Sequence, residues 1–285
     1  GQLTHKEFVG WVDDYKLLKK FSLSSSIITL ENEFVDYHQL EFLEQLGKKV
    51  IPSSKTISLI QDKFIQKETL KKNKIPVAKF IKININSEYD DYTKILGKKF
   101  VIKSRKLGYD GYGNFIVKSE SSFKEGIEKL SKRHSELYAE EFIDFKKELA
   151  IIVVRNSKEI KTYPVVETIQ KNNICHLVIA PAILNNELIK KVKSIAIKCV
   201  KAVNGFGVFG IEFFLTKENK ILVNEMAPRT HNTGHYTIEA CVTSQFENHI
   251  RSILDLPLGS TEMVDKSAVM INLLGKTNGL NFPKN

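Results

Sequence analysis

The segment from Phe209 to His235, FGIEFFLTKENKILVNEMAPRTHNTGH, constrains this chain more than any other. Two apolar runs flank a polar Lys217-Glu218-Asn219 break, the pattern of a β-hairpin. Each run carries one acid foreign to a strand core, Glu212 and Glu225. With the turn centred between Lys217 and Glu218, residue 212 faces residue 223, and Glu225 lies two further along the same face. Such diagonal neighbours are roughly 7–8 Å apart at Cα, near enough for their carboxylates to converge. Two carboxylates aimed at one point repel and raise pKa unless a cation sits between them. Mg²⁺ takes oxygen ligands, commonly one or two carboxylates plus substrate phosphates, so the hairpin suggests a metal–nucleotide site. Two exposed acids on a sheet edge are the plainer alternative, and a one-residue change in the turn would put them on opposite faces.

The 285 residues suffice for a large core and more than one domain. A hydrophobic content of 42% beside 27% charged residues is that of a soluble globular protein. No apolar run approaches the roughly 18–20 residues that span a bilayer. The opening GQLTHKEFVG is polar and lacks the charged-then-apolar order of a signal peptide. Cys175, Cys199 and Cys241 have no CxxC spacing, so reduced thiols in a cytoplasmic protein are expected. The net charge of +10 admits nucleic-acid binding. The lysines are scattered among acids, however, and no basic block is interleaved with aromatics. A solvated surface that attracts small anionic substrates fits better, leaving neither nucleic acid nor membrane as an expected partner.

Along the chain, a short helix at 13–21, a strand from Ser26 through ENEF, a helix at 37–46 stopped by Gly47 and a strand at 48–52 alternate as in a parallel α/β sheet. The alternation is too short for a full nucleotide-binding domain, which implies that its first strands are missing. Residues 53–73 read as a helix pair or one long helix, broken at Ile75-Pro76. Strands follow near 80–85, 100–103, 115–118 and 138–143, with helices at 87–96 and 122–132. Residues 148–155 and 161–168 read as consecutive antiparallel strands, followed by a strand at 176–181. A helix at 186–203 precedes the hairpin; a helix at 243–254 and a strand at 268–274 follow it.

Other constellations could bear chemistry. Lys103 closes the strand FVIK before SRKLGYDGYGNF, where Gly108, Gly111 and Gly113 lie close together. Glycines let backbone N–H groups approach phosphate oxygens, and a lysine at the strand end is a plausible clamp; a tight Asp110-Gly111 hairpin turn is the competing reading. Glu140 and Glu141 suit a solvated strand end, or a segment whose backbone holds adenine while a carboxylate holds ribose. His231 and His235 have the i, i+4 spacing of helical zinc pairs, but Pro228, Asn232 and Gly234 argue for a loop. Arg229 with Asn232 is the better anion binder, suited to a carboxylate or bicarbonate.

Taken together, IQDKFIQKETLKKNKIPV, KSRKLGYDGYGNF, YAEEFI, KELAIIVVR, YPVVETI, GVFGIEFF, VNEMAPRTHNTGHYTIEACVTSQFE and HIRSILDLPLG resemble, in order, N5-carboxyaminoimidazole ribonucleotide synthetase, the ATP-grasp carboxylase of purine biosynthesis. The resemblance runs from about residue 27 to 274. It implies an α+β ATP-grasp fold: a truncated N-terminal α/β (Rossmann-like) domain over 1–52, an ATP-grasp domain over 53–259 with a lid at about 80–143, and an incomplete small C-terminal domain from 260 to 285. It implies conversion of 5-aminoimidazole ribonucleotide, bicarbonate and ATP to the carbamate, ADP and phosphate in de novo IMP synthesis.

By position the resemblance assigns Glu212 and Glu225 to Mg²⁺. It assigns Lys63, Lys103, Gly108, Gly111, Gly113, Asn114, Asn224 and Glu225 to ATP, Glu140, Glu141, Phe142 and Ile143 to adenine, and Glu148 to ribose. Arg229, His231 and Asn232 are expected to hold bicarbonate and carboxyphosphate, and Tyr109 and Asp110, with Arg229, to face the ribonucleotide. The family is commonly a homodimer, and coupling to the mutase of the next step is a further expectation. The chain departs from the family at Tyr112, where YDGRG has arginine, at Gln170, where histidine is common, and in lacking the family's basic C-terminal motif. These departures keep a second reading open, an ATP-binding pseudoenzyme or regulatory remnant.

Overall fold

A computed structural model describes residues 4–84, 87–108, 113–133, 136–171 and 174–273. The chain opens with a small α/β unit. Asp14, Asp36 and Ser53 accept hydrogen bonds from backbone N–H groups and so start α1 (Tyr15–Ser22), α2 (Tyr37–Gln45) and α3 (Ser54–Ser58). Between them β1 (Ile27–Ile28) and β2 (Lys49–Val50) pair in parallel, as the alternation implies. The strand expected to continue into ENEF is only two residues long. The last backbone bond between the two strands is from the Ile51 N–H to the Ile28 carbonyl. Residues 53–73 form a helix pair, because Asp62 caps a new helix, α4 (Lys63–Lys72), by accepting from the Phe64 and Ile65 N–H groups.

A four-stranded antiparallel unit follows: β3 (Phe80–Lys82), α5 (Tyr89–Leu96), β4 (Phe100–Ser104), β5 (Asn114–Val117), α6 (Glu120–Ser131) and β6 (Leu137–Glu141). Its strand order is β3-β6-β4-β5, and Tyr92, Leu96, Phe123 and Leu130 of the two helices bury Phe100, Ile102 and Val117. Arg105, just past β4, forks onto Asp62 at 2.9 and 2.6 Å and reaches Glu136 at 2.6 Å. This sheet is thereby tied to the start of α4.

The larger sheet is antiparallel throughout, in order β12-β11-β7-β9-β10-β13, with β8 also paired to β7. Its strands are β7 (Phe145–Arg155), β8 (Ile160–Thr162), β9 (Val166–Lys171), β10 (Ile174–Ala180), β11 (Gly207–Thr216), β12 (Ile221–Ala227) and β13 (Ala268–Ile271). The single strand expected over 161–168 is split into β8 and β9 around Pro164, which cannot donate to a ladder. One face packs on α4 and α7 (Asn186–Ala202) through Leu149, Ile151, Val153, Phe209, Ile211 and Phe213. The alternate residues Ala150, Ile152, Val154 and Val208 pack on the other face, so β7 is buried on both sides and reads as an unbroken apolar run. That second face also carries α8 (Thr237–Ala240), absent from the sequence reading, and lies beside α9 (Gln245–Ile253). Among the described residues no helix is long and apolar enough to cross a membrane.

The hairpin register differs from the expected one. Phe213, not Glu212, faces Val223, and both point into the core under α7. A bulge then shifts the ladder, so that Glu212 is the direct cross-strand partner of Glu225. Val223 and Met226 both reach the core, leaving Asn224 and Glu225 to share the opposite face with Glu212. The turn is one residue off, which by itself would divide the two acids, and the extra residue brings them back together.

Candidate active site

A cleft of about 480 Å³ lies between the small sheet and the hairpin end of the large one, within the range of nucleotide-sized pockets. It gathers Lys63, Lys103, Gly108, Asn114, Glu140, Glu141, Phe142, Ile143, Glu148, Glu212, Asn224, Glu225, Arg229, His231 and Asn232. Gly113 sits just behind, its backbone at φ +104° and its C=O accepting from the Ser104 N–H at 2.7 Å. Tyr109, Asp110, Gly111 and Tyr112 lie outside the described residues. Apolar walls come from Val101 and Ile116 above, Phe214 below, and Phe142 and Ile143 at the crossing from β6 to β7. Gln170 also lines the cleft.

The charged groups of the cleft floor come from α4, β4, β6, β7, β11 and β12. Lys63, first residue of α4, brings its Nζ within 2.5 Å of Glu225 Oε2. Lys103 on β4 reaches Glu140 and Asn224 Oδ1, each at 3.4 Å. Glu140 is not at a solvated strand end: it is buried, with Lys67 Nζ 3.1 Å from the same Oε2 that Lys103 approaches. Burial alone would raise its pKa, but the two ammonium groups outweigh that and hold it below the usual carboxylate value. Burial does raise the Glu148 carboxyl on β7.

Three residues here escaped the sequence reading. Lys67 is buried, and its signal was its i, i+4 relation to Lys63 and i, i+3 relation to Leu70 on the inner face of one helix. Gln66 grips the backbone of Met226, next to Glu225, donating to its C=O and accepting from its N–H at 3.0 Å each. Glu33 comes from the short N-terminal unit and pairs through both carboxylate oxygens with Nε and Nη2 of Arg229. The guanidinium expected to hold an anion is therefore already engaged by a carboxylate.

His231 lies on Gly210 of β11, where a Cβ would come within 2.5 Å of the imidazole, so only glycine permits that approach. Its Nδ1 is 2.9 Å from Thr233 Oγ1 and its Nε2 3.9 Å from Glu212 Oε1. Burial, with Arg229 nearby, brings its pKa down to about 4, leaving the ring neutral at physiological pH. Asn232 Oδ1 is buried without a hydrogen-bond partner, a poised acceptor. His231 and His235 belong to a loop and a single 3₁₀ turn, Asn232–Gly234, not to the helix a zinc pair requires.

Burial and repulsion from Glu225 and Glu148 push the Glu212 carboxyl up to about 8, whereas Lys63 holds Glu225 below its ordinary value against burial. With no cation between them the facing pair therefore holds one proton near neutral pH, on Glu212, while Glu225 is ionised against Lys63. Among the described residues no three His, Cys, Asp or Glu side chains form a self-sufficient metal cage. Two carboxylates suit Mg²⁺, which draws its other oxygens from phosphates and water.

A folded pKa raised from 4.5 to about 8 means that Glu212 binds its proton more tightly in the fold than in the unfolded chain. Its contribution to stability is full below the unfolded value and is lost as pH rises through the folded one. With EDTA present, the thermal midpoint of the wild type is expected to fall relative to that of Glu212→Gln between the two values. Mg²⁺ with ADP should close that gap. Parallel midpoint–pH curves in EDTA would remove Glu212 from this role.

An ATP-grasp domain family matches residues 68–246. The phosphoribosylaminoimidazole carboxylase of Candida glabrata is 44% identical over 266 residues, covering 90% of this chain and 46% of that protein. The chain thus spans about half the length of its fungal relatives. The N5-carboxyaminoimidazole ribonucleotide synthase of Bacillus subtilis is 36% identical, with 96% of this chain and 72% of that protein aligned. The crystal structure of the Aspergillus clavatus N5-carboxyaminoimidazole synthase, in complex with ADP and 5-aminoimidazole ribonucleotide, superposes with a TM-score of 0.89 at 37% identity, covering 97% of this chain and 73% of that one. On the match of fold, cleft and sequence, this chain belongs to the ATP-grasp family and, within it, to the N5-carboxyaminoimidazole ribonucleotide synthases.

Proposed function

We propose that the chain catalyses ATP-dependent carboxylation of 5-aminoimidazole ribonucleotide with bicarbonate, giving N5-carboxyaminoimidazole ribonucleotide, ADP and phosphate. The carrying observation is the facing Glu212–Glu225 pair at the floor of a cleft roofed by a separate sheet that bears Lys103. The relatives' activity and the ribonucleotide bound to the Aspergillus clavatus enzyme support the reading.

In this reading the adenine lies between Val101, Ile116 and Phe214, and the backbone of residues 140–143 meets its edge. Mg²⁺ held by Glu212 and Glu225 would neutralise charge on the transferring phosphoryl group. Lys63 and Lys103 present ammonium groups to the phosphates. An oxygen of bicarbonate attacks the γ-phosphorus, the bond to the ADP oxygen breaks, and carboxyphosphate forms. The ribonucleotide amine then attacks its carbonyl carbon, or CO₂ released from it; phosphate departs and the nitrogen loses a proton. Neutral His231 and the free Asn232 acceptor stand beside the acids where that anion is made. Arg229 exchanges part of its bond to Glu33 for the anion, and closure of the small sheet shields the anhydride from water.

The same reading places the ATP-grasp unit at 53–259, preceded by the α/β unit over 1–52 and followed by the start of a C-terminal domain, 260–285. A homodimer, coupling to the mutase and a cytoplasmic location also belong to it. The test is ADP release by the purified chain with and without the ribonucleotide and bicarbonate. Release that requires both is expected; ATP binding without such turnover would instead identify a nucleotide-binding pseudoenzyme.

A further inference from the structure

The SQFE stretch, Ser244–Glu247, sends no side chain into the cleft, yet Gln245 is fully buried. Ser244 begins α9, its Oγ accepting from the Glu247 N–H at 3.1 Å. Gln245 turns its amide away from the helix and onto the His231 loop. Its Oε1 accepts from the His231 N–H at 2.9 Å, and its Nε2 donates to the His231 C=O at 2.8 Å. One planar amide thus grips both polar groups of a single residue, as a neighbouring strand would. The Gln245 N–H in turn donates to Thr237 Oγ1 at 2.9 Å, and that hydroxyl donates to the Gly234 C=O at 2.6 Å. Both ends of the 231–234 turn are therefore fixed to one buried pair, Thr237 and Gln245. Gly234 is required there, since a Cβ would come within 2.6 Å of Gln245 Oε1.

The clamp acts on the residue that overlies the acids. His231 rests on Gly210 from one side and is gripped by Gln245 from the other, with Nε2 directed at Glu212. We propose that Gln245 is a positioning residue for the carboxyl-transfer half of the reaction: its amide fixes the height of His231 over the Glu212–Glu225 pair, and with it the place where the bicarbonate-derived anion is held. This rests on the functional reading above and assigns Gln245 no contact with substrate.

Gln245→Glu tests it, because the side chain keeps its shape and its acceptor for the His231 N–H. It loses the donor, so that a carboxylate oxygen faces the His231 carbonyl. At about pH 8, kcat for carboxylation should fall by about 10- to 100-fold, the scale of a displaced reacting group. KM for ATP should stay within about twofold, since the nucleotide half is untouched. More phosphate should be released per ribonucleotide carboxylated. Towards about pH 6 the buried carboxyl, its pKa raised by desolvation, regains a proton to donate and activity relative to wild type should recover. Gln245→Met, of similar volume and without polar atoms, should lose the same coupling with no recovery at low pH.

Unchanged coupling in both variants, or a loss of ATP affinity in step with kcat, would overturn the proposal. Failure of the functional reading is distinct: the wild type itself would release no ADP in response to ribonucleotide and bicarbonate. In that event hydrogen exchange at the His231 amide still decides. Protection in the wild type and Gln245→Glu, lost in Gln245→Met while β7 and β11 stay protected, supports the clamp; an unprotected His231 in the wild type overturns it.

Discussion

Glu225→Gln is expected to lower ATP turnover by about 10²–10³-fold, the scale of losing one electrostatic stabiliser of the transition state. Glutamine keeps the volume of the side chain, so the β11–β12 ladder, the Gln66 grip on Met226 and the core beneath Val223 have no reason to change. What changes is charge. Lys63 loses its partner at 2.5 Å, and the facing pair falls from two carboxylates to one. Relieved of Glu225, Glu212 should ionise more easily, yet a lone carboxylate holds a hydrated divalent ion weakly. Glu212→Gln should cost a similar factor. The double variant should be little worse than either single one, because both side chains act on one ion. Phosphate release at saturating Mg·ATP measures the effect, and an unshifted thermal midpoint shows that the fold is intact. Turnover near the wild-type level in Glu225→Gln would remove this residue from the reaction.

The same pair shows what a sequence can and cannot disclose. Two acids inside apolar runs were enough to mark a converging site, because burial of a carboxylate in a strand calls for a compensating charge. The route by which they converge was hidden. Register depends on turn geometry and on a bulge at Asn224, and neither has a strong one-residue signature without a glycine in the turn. Most helices were legible because apolar periodicity is local, but the Asp62 cap that divides α3 from α4 and the four-residue α8 were not. Lys67, Gln66, Glu33 and Gln245 could not be read as site residues, because their partners belong to other elements of the fold. Glu33 and Arg229 are 196 residues apart, and Gln245 meets His231 only after the loop folds back past α8. Such pairings follow from tertiary packing, and a side chain in a polar-looking helix such as KFIQKETLKK gives little sign of which charge is buried.

That buried charge makes the second large effect. Lys67→Met is expected to destabilise the fold by about 3 kcal/mol, near the low end for breaking a buried ion pair. Methionine fills the same channel, so the loss is chiefly electrostatic. Glu140 stays buried, with Lys103 at 3.4 Å as its remaining partner, and Lys103 is the more exposed of the two lysines. Burial and repulsion from Lys103 already lower the Lys67 pKa, while Glu140 pulls it the other way. The ammonium is retained for its partner and not for solvation. Adding Glu140→Gln to Lys67→Met should therefore recover most of the stability, since a buried pair replaced on both sides leaves no uncompensated charge. The recovered protein should still bind ATP poorly: Lys103 loses the carboxylate that holds it against the cleft, although its approach to Asn224 remains. Thermal midpoints of the two single variants and the double, read with nucleotide titrations, separate the two roles. A double variant no more stable than Lys67→Met would mean that the lysine contributes packing alone. Full ATP affinity in that variant would mean that Lys103 needs no carboxylate behind it.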